Sequence, residues 1–93
     1  MSDFRELWND PEFLTPERKA KIELEAEIIG KLIEAREQQG ITQEKLAEMS
    51  GLRQPAIARM ENMGTIPQIE TLIKVLDPLG YTLAVVPKKQ AIE

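Results

Sequence analysis

Gly51 constrains the fold of this 93-residue chain more than any other residue. It separates two short apolar patterns, TQEKLAEMS before it and LRQPAIARMEN after it. In the first, Thr42 supplies an oxygen cap and Leu46, Ala47 and Met49 share one face, while Gly51 offers the left-handed turn that ends a helix. The second begins within three residues. Pro55 fits only in its first turn, where a missing N–H costs nothing, and Ile57 and Met60 then face inward. A connection of about three to four residues forces the two helices to cross steeply. Helices this short are marginal alone, so both must lie on further apolar surface.

The flanking sequence provides that surface. Asp10 before Pro11 and Thr15 before Pro16 both read as helix starts, with EFL between them good for one turn at most. From Pro16, the residues Ala20, Leu24, Ile28, Ile29, Leu32, Ile33 and Ala35 recur at spacings of three and four. They predict a helix to Gln39, stopped at Gly40, of about 24 residues and so about 36 Å. Its first half is nearly all charged and its second half amphipathic, so only the second half is expected to pack in the core. After the loop MGTIPQ, Ile69, Leu72, Ile73, Leu76 and Leu79 outline a fourth helix, disrupted at Pro78 and closed by Gly80. YTLAVVP is β-branched and apolar, bounded by glycine and proline, and reads as a strand. A lone strand has open edges, and the most economical partner is its own symmetry mate. Residues 88–93 are expected to fray.

Composition excludes much chemistry. The chain has no cysteine and no histidine, which removes disulfides, thiol nucleophiles, imidazole bases and the commonest zinc ligands. A reducing cytoplasm fits, and MSDFRELWND lacks the basic start and apolar run of a signal peptide. No paired carboxylates, metal cluster or glycine-rich phosphate loop stands at meaningful spacing, so neither a cofactor nor an enzyme is expected. The net charge of −4 is unevenly placed, because residues 1–39 carry ten acids against six bases and the remainder is neutral. A chain of this size makes a modest core, and oligomerisation is expected.

The stretch from Gly40 to Gly80 resembles the helix-turn-helix domain of the XRE family, the lambda-repressor and Cro-like group. The residues that carry the likeness are Gly40, Ile41, Thr42, Gln43, Leu46, Ala47, Gly51, Ile57, Arg59 and Glu61. The resemblance implies a mainly α bundle whose second short helix enters the DNA major groove. It places Gln43 on a phosphate through side chain and exposed amide. Arg53, Gln54, Pro55, Ala58 and Arg59 would occupy the outward face of the reading helix, with Gln54 reading adenine and the arginines guanine or phosphate. Asn62 and Thr65 would reach the flanking backbone. Two positions depart from the family pattern, since Arg53 stands where a capping serine or threonine is common and Pro55 removes a donor. Met49, Met60 and Met63 are expected to fill the core, and Glu61 to serve structure by pairing with a nearby base.

The N-terminal arm and the C-terminal strand resemble those of HigA-type antitoxins of toxin–antitoxin pairs. That likeness implies a dimer that represses its own operon and neutralises a basic RelE/HigB-like messenger-RNA-cleaving toxin, in a heterotetramer with it. It divides the chain into an acidic arm (1–26), a helix-turn-helix domain (27–80), a dimerisation strand (81–87) and a tail (88–93). Phe4, Leu7, Trp8, Phe13, Leu14 and Glu17 would meet the toxin, and Tyr81, Leu83, Val85 and Val86 would pair across the two-fold axis. Other readings stay open: the five apolar arm residues could fold back on their own helix, and the chain could be a stand-alone phage or host repressor. It could also be a protein-binding adaptor without DNA affinity.

Overall fold

The computed structural model describes residues 15–88. Among them four helices form: α1 (Pro16–Gln38), α2 (Gln43–Ser50), α3 (Gln54–Glu61) and α4 (Ile69–Leu76), followed by a 3-10 turn at Asp77–Leu79. The Thr15 hydroxyl accepts the Arg18 amide at 3.2 Å, and Pro16 opens α1 where no N–H is needed. At the other end Gly40 takes φ 69°, and the amides of Gly40 and Ile41 donate to the carbonyls of Glu37 and Arg36. This pair of bonds closes the orphan carbonyls of a helix end. The helix ends one residue before the predicted Gln39, which serves as its cap instead.

Each helix contributes one fully buried side chain to a common centre: Leu32, Leu46, Ile57 and Val75. Around them lie Ile29, Ala35, Ala47, Met60, Leu72, Leu76 and Leu79. All buried residues of α1 fall in its second half, while Ile22 and Leu24 in the first half stay exposed. The Gln39 amide ties the end of α1 to the final turn by donating to the Leu79 carbonyl at 2.8 Å.

Helix α2 begins and ends as the sequence predicts, with the Thr42 hydroxyl accepting the Lys45 amide at 3.0 Å and Gly51 at φ 77°. Its inward face is narrower than predicted, however, because Met49 is 41% exposed. At 3.6 residues per turn Met49 points about 110° away from the midpoint of Leu46 and Ala47, which places it on the rim. Helix α4 differs in the same way. Val75, absent from the predicted stripe, is fully buried, whereas Ile73 is 50% exposed. Pro78 ends the α-helical bonding at Leu76, and the chain continues as the 3-10 turn that carries Leu79 inward.

Of the three methionines assigned to the core, only Met60 is buried there. Met63 sits just past the end of α3 at φ 59°, while Gly64 donates to the Arg59 carbonyl at 2.8 Å. This is the position a glycine usually fills, and a side chain there carries left-handed strain. Met63→Gly is therefore expected to stabilise the fold by about 0.5–1 kcal/mol, a few degrees in a thermal melt; an unchanged or lower midpoint would show that the methionine's contacts outweigh the strain.

Residues 81–88 carry no regular secondary structure within the chain. The strand predicted for Tyr81–Val86 is thus not formed by one copy alone, since a ladder needs a second extended strand and the described residues form none. Leu83 packs against the core, but Tyr81, Val85 and Val86 are exposed.

Candidate nucleic-acid interface

The steep crossing of α2 and α3 places Gln43 and Gln54, eleven residues apart, within one hydrogen bond of each other. Both are the first residue of their helix. The Gln54 Nε2 donates to Gln43 Oε1 at 2.9 Å, and Gln43 Nε2 donates in turn to Glu61 Oε1 at 2.9 Å. Glu61 is held from the other side by Arg36, whose Nε and Nη2 reach its two oxygens at 2.6 and 2.9 Å. The third guanidinium nitrogen, Nη1, donates to the Ile41 carbonyl at 2.8 Å. A single chain of polar contacts therefore runs from the core-facing helix α1 through the end of α3 to the start of α2 and back to the start of α3.

Burial makes this chain consequential. The Arg36 and Glu61 side chains are only 12% and 6% exposed, and a fork-shaped bidentate pair is the geometry in which a buried ion pair best offsets its desolvation. The hydrogen bond to Glu61 raises the Arg36 pKa above its ordinary value against the opposing effect of burial, with the charges of Glu61, Glu37 and Glu44 adding to the rise. Among the described residues no buried side-chain polar atom lacks a partner. The structural role expected of Glu61 is thus found, and its base is Arg36. Sequence reasoning missed Arg36, although an arginine on the inner half of an amphipathic helix was the available signal.

All of the predicted contact residues are at least partly exposed. Arg53, Pro55, Arg59, Asn62 and Thr65 are exposed, and Gln43, Gln54 and Ala58 are partly so. Neither Arg53 nor Arg59 forms an ion pair among the described residues, so both charges face solvent. Arg59 and Thr65 share the wall of an open groove of about 430 Å³ between α3 and the loop leading to α4. Arg53 precedes α3 in the cap position without a capping side-chain bond, and Pro55 lies in the first turn. The side chain of Gln43 is committed to Gln54 and Glu61, which leaves its backbone amide, at the first position of α2, as the group free of an intrahelical acceptor.

Glu17 is exposed in the first turn of α1. Phe4, Leu7, Trp8, Phe13 and Leu14, the helix start at Asp10–Pro11 and residues 89–93 of the predicted tail lie outside the described residues. Among the described residues no helix is long and apolar enough to cross a membrane, and no cluster of three metal-ligating side chains occurs.

Comparison with known proteins adds to this geometry. A family model described as helix-turn-helix matches residues 32–86. An uncharacterised HTH-type transcriptional regulator of Haemophilus influenzae is 45% identical over 82 residues, 86% of this chain and 84% of the relative. The HTH-type transcriptional regulator PuuR of Escherichia coli is 43% identical over 54 residues, which are 58% of this chain but only 29% of PuuR. A solved structure titled as a toxin–antitoxin module from Streptococcus pneumoniae contains a chain that superposes with a TM-score of 0.70 at 45% identity, covering 96% of both chains.

Proposed function

The chain belongs to the XRE-type helix-turn-helix family of transcriptional regulators, and on that premise we propose that it is the antitoxin of a toxin–antitoxin pair. As a dimer it represses its own operon, and by direct binding it neutralises a basic RelE/HigB-like ribonuclease in the cytoplasm. The observation that carries this reading is the likeness to a chain of a toxin–antitoxin module over 96% of both lengths. A match confined to the helix-turn-helix would speak for DNA binding alone; this one extends over the segments on either side of it.

The chemistry of the surface agrees. DNA affinity comes mainly from phosphate neutralisation, and sequence choice from groups that reach base edges. The exposed Arg53 and Arg59 supply the first, with Asn62, Thr65 and the Gln43 amide along the backbone; Gln54 supplies the second, flanked by Pro55 and Ala58. Two such surfaces in a symmetric dimer would meet half-sites about 34 Å apart, so the operator is a palindrome. The exposed Tyr81, Val85 and Val86 give the second copy an apolar edge to pair with, while Leu83 anchors that edge to the core. In residues 1–39 ten acids face six bases, the complement of a basic RNA-cutting partner. Phe4, Leu7, Trp8, Phe13 and Leu14 are the apolar anchors of that contact and Glu17 its acidic rim.

The test has two readouts on one preparation. The chain is titrated onto DNA from upstream of its own gene at several salt concentrations, beside Arg59→Ala, and then added to the ribonuclease encoded next door. Tight, salt-dependent binding that Arg59→Ala weakens about tenfold, together with protection of messenger RNA from the ribonuclease, is the expected result. The relatives described simply as transcriptional regulators favour a second reading, a stand-alone repressor. Specific DNA binding with an uninhibited ribonuclease would establish that one and reject the antitoxin.

A further inference from the structure

We propose that Glu61 selects which purine the site reads, by fixing the orientation of the Gln54 amide through Gln43. This rests on the reading of α3 as the helix that enters the major groove. A glutamine amide is nearly the same shape in its two orientations, but its ends are opposite in chemistry: the oxygen accepts and the nitrogen donates twice. Left alone, such a side chain presents either end. Here a third residue decides.

A carboxylate only accepts. Glu61, held in place by the Arg36 fork, therefore receives the Gln43 nitrogen at 2.9 Å and excludes the Gln43 oxygen. With its nitrogen turned to Glu61, Gln43 shows its oxygen to α3, and Gln54 must answer with its own nitrogen, again at 2.9 Å. One N–H of Gln54 is thereby committed. Its second N–H and its oxygen remain: that oxygen has no partner among the described residues, yet no buried polar atom there is unsatisfied, so it is open to solvent.

One donor beside one acceptor matches adenine, whose major-groove edge offers the N7 acceptor and the N6 donor. Guanine offers two acceptors, N7 and O6, and needs two donors. The reversed orientation, with the Gln54 oxygen toward Gln43 and both N–H bonds outward, would suit guanine. The two settings of one residue thus correspond to two purines, and the setting is imposed by a carboxylate one hydrogen bond beyond Gln43. Glu61 is a positioning residue for base choice, acting without touching DNA.

The experiment selects binding sites for the full-length protein from a random duplex pool, and then measures affinity for the selected site with adenine or guanine at the position Gln54 reads. Gln54→Ala identifies that position as the one whose preference disappears. Wild type should favour adenine by roughly tenfold or more. Glu61→Gln, which offers Gln43 either an acceptor or a donor, should bring the ratio to within about threefold of unity. Should that variant fail to fold, Gln43→Met serves, because it cuts the relay while leaving intact both the Arg36–Glu61 pair and the Gln43 backbone amide; the adenine-to-guanine ratio must collapse. An adenine preference lost in Gln54→Ala yet kept in a folded Glu61→Gln or Gln43→Met overturns the relay and leaves DNA reading standing. A wild-type preference for guanine at that position overturns it as well. Selection of no sequence above random would instead remove the DNA reading itself, and the relay with it.

Discussion

Glu61→Ala is expected to lower the free energy of unfolding by about 3 kcal/mol, a large share of the 5–15 kcal/mol typical of a small domain. The loss is not that of a surface ion pair, which would be worth about 1 kcal/mol at most. Glu61 is 6% exposed and Arg36 12%, so the alanine leaves a guanidinium short of two of its acceptors where water reaches it poorly. It also strands the Gln43 nitrogen that donates to Glu61. Arg36 keeps the Ile41 carbonyl, which is why the figure sits at the low end for a broken buried pair. Urea unfolding followed by circular dichroism, at fixed protein concentration, measures it. Arg36→Met combined with Glu61→Leu should recover most of the loss, because removing both charges removes the need to solvate either. A single-variant loss under about 1 kcal/mol would mean that the pair is solvated in solution.

Ile57→Ala is the second large effect, expected to cost about 3–4 kcal/mol and to lower the melting temperature by about 15 °C or more. Ile57 is fully buried at the centre shared with Leu32, Leu46 and Val75, one side chain from each helix. None of those four helices can collapse into the space without drawing its neighbours with it, so a cavity remains. Ile57 also stands on α3, between Gln54 and Arg59, and its loss should blunt DNA binding as well as stability. Ile73→Ala is the control: half exposed on α4, it should cost under about 0.5 kcal/mol. Equal losses at the two positions would refute the placement of the core.

The local architecture was legible because each boundary has a local cause. Thr15 with Pro16, Thr42, Pro55, and the glycines at 40, 51 and 80 act through backbone geometry within a few residues of themselves, and the helices begin and end at or within a residue of where they dictate. The fourth helix follows the same rule, since Pro78 ends α-helical bonding at Leu76 and Gly80 caps the 3-10 turn beyond it. Periodicity overstated the inward faces. Met49 and Ile73 lie at helical spacing from core residues, yet on eight-residue helices that present a narrow stripe they fall on its edge, while Val75 takes the centre.

The candidate site divides along the same line. The outward residues Arg53, Gln54, Pro55, Ala58 and Arg59 could be named from position on a helix, since facing is set by 3.6 residues per turn. That Arg36 grips Glu61 across 25 residues of chain, and that Glu61 grips Gln43 and Gln43 grips Gln54, could not. Those contacts exist only once three helices are packed, because hydrogen bonds act over about 3 Å and nothing in local sequence fixes which side chains come that close. Where the helices start, stop and turn is thus written locally in the chain, whereas the polar chain that joins them comes into being only on packing, since backbone preference is local and side-chain partnership is not.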